Sequence, residues 1–63
     1  MDYIPYKTAT GKLYIQTNQK VWLYYDKYYS EFRWFGAELD AELYGMIEIP
    51  MEEFERELFL EVL

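Results

Sequence analysis

Residues 12–26 read KLYIQTNQKVWLYYD, and the alternation in this stretch decides the fold class. Leu13 and Ile15 fall on one side of a strand with Tyr14 and Gln16 on the other. After the polar residues Asn18, Gln19 and Lys20 the period resumes: Val21, Leu23 and Tyr25 face one way, Trp22, Tyr24 and Asp26 the other. Two period-two runs joined by a short polar turn predict an antiparallel β-hairpin. Its second face carries Tyr14, Trp22 and Tyr24 where a solvated sheet normally carries charge. One aromatic face for the core and another to spare predicts a second buried surface.

Outward from the hairpin the pattern changes. Met1–Gly11 offers no helical period and reads as an extended, partly mobile lead-in. Residues 27–41 fit two readings. Tyr28, Phe32, Phe35 and Leu39 recur at i, i+4, i+7 and i+11, a helical stripe with Asp26 or Ser30 as N-cap and Gly36 as its end or interruption. With period two, Phe32 and Trp34 alternate with Arg33 and Phe35, which suits a strand. The helix is the preferred reading. Leu43–Ile49 predicts a strand that Pro50 stops. Pro50 then suits the first turn of a helix, whose positive end Glu52 and Glu53 complement. Met51, Phe54, Leu58 and Val62 form its apolar stripe, and Glu53, Glu57 and Glu61 an acidic ridge. LFLEVL could instead finish as a strand. The expectation is a single α+β domain over residues 1–63, an antiparallel sheet of three or four strands with one or two short helices.

Composition bounds the rest. A chain of 63 residues buries only about 60 % of its unfolded surface, so an isolated subunit is marginal. Cysteine and histidine are both absent, which removes disulfides, zinc, haem and iron–sulfur clusters as supports. Aromatic residues make up 22 % of the chain and are enriched in protein interfaces. A homodimer or a tight hetero-complex is therefore expected, with Tyr14, Trp22, Tyr24 and Trp34 at the seam of the dimer and Tyr29 as a further interface ring. Tyr25, Phe32, Phe35, Phe54 and Leu58 are most simply core. No run approaches the roughly 18 apolar residues of a membrane span, and the N-terminal stretch lacks the apolar centre of a secretory signal. A cytoplasmic protein is the expectation, in the host cytoplasm if the protein is viral.

Charge is lopsided. Residues 1–30 carry +4 − 2 = +2 and residues 31–63 carry +2 − 10 = −8, which together give the net −6. Such a field repels nucleic acid and anionic membrane and attracts basic protein surfaces, of which the commonest hold phosphates. Stacking rings interleaved with lysines can bind single strands, but the net −6 argues against direct nucleic-acid binding. No nucleophile–base pair is available without His or Cys, Ser30 is the sole serine, and Gly11, Gly36 and Gly45 are isolated. The chain is thus expected not to be an enzyme and to carry no cofactor. Glu38, Asp40 and Glu42 lack the glycine turn and closing bidentate Glu of a calcium loop, so no metal is expected there. Read as phosphate surrogates, carboxylates two apart on a strand repeat every ~6.6 Å and four apart on a helix every ~6 Å, within the range of charge spacing along DNA. Against this stands solubility alone as the purpose of acidic rows.

The hairpin, Tyr24-Tyr25-Asp26 and Ser30-Glu31-Phe32 together give a layout that resembles the small dimeric uracil-DNA glycosylase inhibitors of Bacillus podophages that prime replication with a protein. Those inhibitors are acidic, tyrosine-rich and cysteine-free, with Tyr-Tyr-Glu on the second strand and Ser-Asp-Phe-Glu on a helix. Their dimer cleft captures the apolar residue that the glycosylase inserts into DNA, while acidic groups stand in for phosphates. The resemblance implies that Asp26 matches the strand Glu and Phe32 the helix Phe, with Glu31 beside it. Arg33 departs from the following Glu, Phe35 sits near but not at the place of a family Tyr, and the loop between Asp26 and Ser30 is shorter. A second register matches Glu53-Phe54-Glu55 to the helix motif with its Glu intact. The implied function is inhibition of a host DNA-binding enzyme by acidic mimicry plus an apolar socket. Uracil-DNA glycosylase is favoured as target, with Asp26, Glu31, Phe32, Phe35, Glu38, Asp40, Glu42, Phe54 and Glu55 as partner-binding residues. The alternatives are an anti-CRISPR or other acidic inhibitor of a nuclease, and a non-mimetic adaptor or dimerisation module.

Overall fold

The computed structural model describes residues 3–17 and 20–61, except for the side chain of Glu61. The fold is α+β: one antiparallel sheet of five strands and one α-helix. The strands are β1 (Tyr3–Lys7), β2 (Leu13–Thr17), β3 (Val21–Asp26), β4 (Glu31–Ala37) and β5 (Ile47–Glu48), in spatial order β4-β3-β2-β1-β5. Four strands follow one another as a meander. The chain then leaves β4 at one edge and crosses to β5 at the other, which forces residues 38–46 to strap one face of the sheet.

The expected hairpin is β2–β3, with Tyr14 opposite Tyr24, Ile15 opposite Leu23 and Gln16 opposite Trp22. Asn18 and Gln19 of its turn lie outside the described residues. The sheet exceeds the expected three or four strands because two segments pair that the local pattern did not read as strands. The extended lead-in supplies β1, which pairs along its whole length with β2 and at Tyr6 and Lys7 with β5. Residues 31–37 form a strand, not the preferred helix. Asp26 Oδ1 accepts hydrogen bonds from the backbone N–H of Tyr28 (3.0 Å) and Tyr29 (3.4 Å), which closes a turn immediately after β3. Ser30, at φ 55°, then turns the chain back. Phe32 lands opposite Tyr25, ring centroids 5.1 Å apart, so cross-strand ring packing overrides the helical spacing.

A bulge sets the far half of β4. Leu23 pairs with Trp34 but Trp22 pairs with Gly36, so Phe35 is the extra residue and turns to the strapped face. The absent side chain of Gly36 makes room for the strap: a Cβ there would meet Leu39 Cδ1 at 3.0 Å. The strand expected over Leu43–Ile49 shrinks to Ile47–Glu48, because Ala41–Tyr44 wind into a 3-10 turn. Asp40 caps that turn by accepting from Glu42 N–H at 3.1 Å, and Gly45, at φ 67°, ends it in the left-handed region.

The helix α1 spans Met51–Glu61 and begins as expected, with Phe54 N–H bonded to Pro50 O at 3.0 Å. Its Phe54 and Leu58 enter one core with Leu13, Ile15, Leu23, Tyr25, Phe32, Ile49 and Met51. Val62 of the expected stripe lies outside the described residues. On the opposite face Leu39, Ala41 and Met46 of the strap cover Tyr6, Tyr14, Trp22, Tyr24 and Phe35. The molecule is three layers, helix, sheet and strap, with a thin core on each side of the sheet. Among the described residues no helix is long and apolar enough to cross a membrane.

Candidate functional site

The strap and the helix carry most of the carboxylates, on opposite outer surfaces. Glu38, Asp40 and Glu42 are all exposed on the strap, followed by Leu43, which is 82 % exposed, and by exposed Tyr44. The crossing itself produces this row, since Leu39 and Ala41 turn inward and leave their neighbours outside. On α1, Glu52 and Glu55 are exposed beside Arg56, while Glu53 and Glu57 are drawn to Lys7 at 2.8 and 3.3 Å. These two hydrogen-bonded carboxylates, Glu53 first, hold the Lys7 ammonium above its ordinary pKa. Glu61, the third member of the expected ridge, has no described side chain.

The other expected site residues separate into several places. Phe32 and Phe54 stack on each other at 6.0 Å within the helix-side core, and Phe54 is only 2 % exposed. Among the described residues neither lines the clefts on the surface, and Glu55 is exposed. Asp26 is committed to structure: Oδ1 caps the turn and Oδ2 pairs with Arg33 Nε at 3.0 Å. Glu31 takes the other end of that guanidinium, Nη2 to Oε1, at 2.7 Å. Arg33 also lies over the ring of Tyr29, 4.6 Å from its centroid. Of the residues expected at a dimer seam, Trp22 is 1 % exposed and Tyr14 8 %, so within this subunit both are core. Tyr24 is half-buried, whereas Trp34 stands exposed on the free edge strand β4. The spare aromatic face of the hairpin is covered by the chain's own strap. Sequence reasoning missed this because the strap is contributed from far along the chain.

A cleft of about 510 Å³ opens at the end of β2 and β3, lined among others by Lys12, Tyr14, Tyr24, Asp26, Lys27 and Phe35. Phe35 packs edge-on against Tyr14 at 5.1 Å and Tyr24 at 6.2 Å, and Tyr44 closes on Phe35 at 5.6 Å. Burial raises the pKa of Tyr14 above its ordinary 10.0. Lys12 and Lys27 were not singled out by sequence. The only available signal was register: continuing Tyr14 opposite Tyr24 sets Lys12 beside the Asp26–Lys27 end of β3. Among the described residues no group of three or more Asp, Glu, His or Cys is placed to hold a metal ion.

No family model matches the chain, and neither a curated protein nor a solved structure is found similar to it.

Proposed function

We propose that this chain is a non-catalytic binding protein whose strap presents a short acidic row with two apolar side chains to a basic groove on another protein. The observation that carries this reading is the outward position of Glu38, Asp40 and Glu42 beside exposed Leu43 and Tyr44. Carboxylates so placed compete with phosphates for lysines and arginines, and the adjoining apolar pair gives the contact a desolvated centre. The partner class is a DNA-handling enzyme, and uracil-DNA glycosylase is the first target to test. The apolar contribution is then made by protruding Leu43 and Tyr44, since Phe32 and Phe54 are spent on the core. Self-association is a compatible second element of this reading: β4 is a seven-residue edge strand with an exposed Trp34, open to pairing with another strand.

Uracil excision by a bacterial glycosylase, titrated with the purified protein, tests the reading. Inhibition is expected to weaken steeply as salt rises from about 50 to 300 mM, because the contact is charge-led. The triple change Glu38→Gln, Asp40→Asn, Glu42→Gln keeps the turn cap, since Asn caps as well as Asp. It is expected to weaken inhibition at least about tenfold. Salt-independent inhibition, or full potency in the triple variant, rules out the acidic strap. Absence of inhibition removes uracil-DNA glycosylase as the target.

A further inference from the structure

We infer that the cleft at the end of β2 and β3 is a binding site for a small planar aromatic molecule carrying one phosphate, a nucleoside monophosphate being the simplest example. Charge is the first reason. In a chain of net −6 the three charged residues lining this cleft are Lys12, Lys27 and Asp26, and Asp26 is already held by Arg33. Lys7 shows the contrast, with Glu53 and Glu57 on its ammonium. Lys12 and Lys27 have no ion pair among the described residues, so the cleft is a local cationic site set in an acidic molecule. Two lysines lining one cleft suit a phosphate monoester, which carries up to two charges at neutral pH.

The rings are the second reason. Tyr14 and Tyr24, paired on the β2–β3 ladder, and Phe35 from the bulge of β4 supply an aromatic wall, and such walls bind flat π-systems. The loop carrying Lys12 is itself preorganised. Thr8 N–H bonds Lys12 O at 3.0 Å, Gly11 N–H bonds Thr8 O at 3.0 Å, and Thr8 Oγ1 accepts from Lys12 N–H at 3.1 Å. Gly11 adopts φ 87°, which permits that closure.

Size is the third. A volume of about 510 Å³ falls within the range of small-ligand sites. A long polyanion extending beyond the cleft would meet the field of a molecule of net −6, whereas a molecule with a single phosphate needs only the two lysines.

An amide-resolved NMR titration of the full chain tests the assignment. Uridine and adenosine monophosphates are expected to shift Lys12, Tyr14, Tyr24 and Lys27 saturably. The parent nucleosides and inorganic phosphate are each expected to bind at least about tenfold more weakly, because each lacks half of the recognition. Lys12→Gln with Lys27→Gln, both exposed positions, is expected to weaken monophosphate binding about tenfold or more while the spectrum stays dispersed. Four results overturn the assignment: no saturation by about 10 mM monophosphate, inorganic phosphate binding as tightly, a tetranucleotide binding more tightly than the monomer, or an unaffected lysine variant.

Discussion

The two faces of the sheet are buried by different means. On one face a regular helix, its backbone satisfied internally, seals Leu13, Ile15 and Phe32 with Phe54 and Leu58. On the other an irregular strap of nine residues lays Leu39, Ala41 and Met46 over a bed of rings. The helix-side core is the larger of the two. The strap face needs large aromatic side chains because its cover contributes few apolar atoms of its own. Of the rings expected at an intermolecular seam, Tyr14, Trp22 and Tyr24 go into closing this second core, while Tyr29 and Trp34 stay exposed. In so small a domain a second core leaves little margin, which makes the contrast testable.

Truncation separates the faces most strongly. Phe54→Ala removes the best-buried ring of the helix side and is expected to cost about 3–5 kcal/mol. Total stability for a chain of this length is roughly 3–9 kcal/mol, so this variant is expected to be largely unfolded by circular dichroism at 37 °C. Met46→Ala, the matching deletion on the strap side, is expected to cost about 2–3 kcal/mol, the low end for a buried Met, because the strap can settle into the space. Urea unfolding of both variants makes the comparison. Equal losses would show that the strap is as rigid a cover as the helix.

Alkaline titration sharpens the same contrast through smaller effects. On the helix side Lys7 has a pKa raised above 10.5, chiefly by its hydrogen bonds to Glu53 and Glu57. On the strap side burial, with the charge of Glu48 added, raises Tyr6 above 10.0, and burial raises Tyr14. All three groups hold their protons more tightly folded than unfolded. Their contributions are therefore intact below about pH 10 and are lost as pH rises through the folded values. Stability measured by urea from pH 8 to 11.5 is expected to fall from about pH 10 upward. Tyr6→Phe should flatten the strap contribution and Lys7→Met the helix contribution, so the two variants divide the decline between the faces. A profile flat to pH 11.5 contradicts both.

What the chain discloses by itself follows the range of the interactions involved. The β2–β3 hairpin and the start of α1 are legible because alternation and Pro50 act within a few residues. The fourth strand is obscured for two local reasons. Tyr28, Phe32, Phe35 and Leu39 happen to repeat at helical spacing, and the bulge at Phe35 breaks the period-two pattern that would have revealed β4. Pro5 hides β1, whose pairing is supplied by residues 13–17 and 47–48. The acidic row at 38–42 is visible as composition, and its exposure follows only once the strap is known to cross the sheet. Lys12 and Lys27 are the least legible, because what distinguishes them from Lys7 is the position of Glu53 and Glu57 about fifty residues away.

Trp22 offers the finest test of how the strap face is closed. Its ring lies 4.7 Å from that of Tyr6, and its buried indole Nε1–H has no hydrogen-bond partner among the described residues. A buried donor left unsatisfied costs about 1–3 kcal/mol. Trp22→Phe removes that donor together with part of the ring, so the lost packing and the relieved desolvation oppose each other. The net change is expected to lie within about 1 kcal/mol, far below the 3–5 kcal/mol typical of deleting a whole aromatic side chain. Thermal unfolding of Trp22→Phe beside Trp22→Ala measures the difference. If the Phe variant falls as far as the Ala variant, the strap face is held by the indole as a whole and not by apolar coverage.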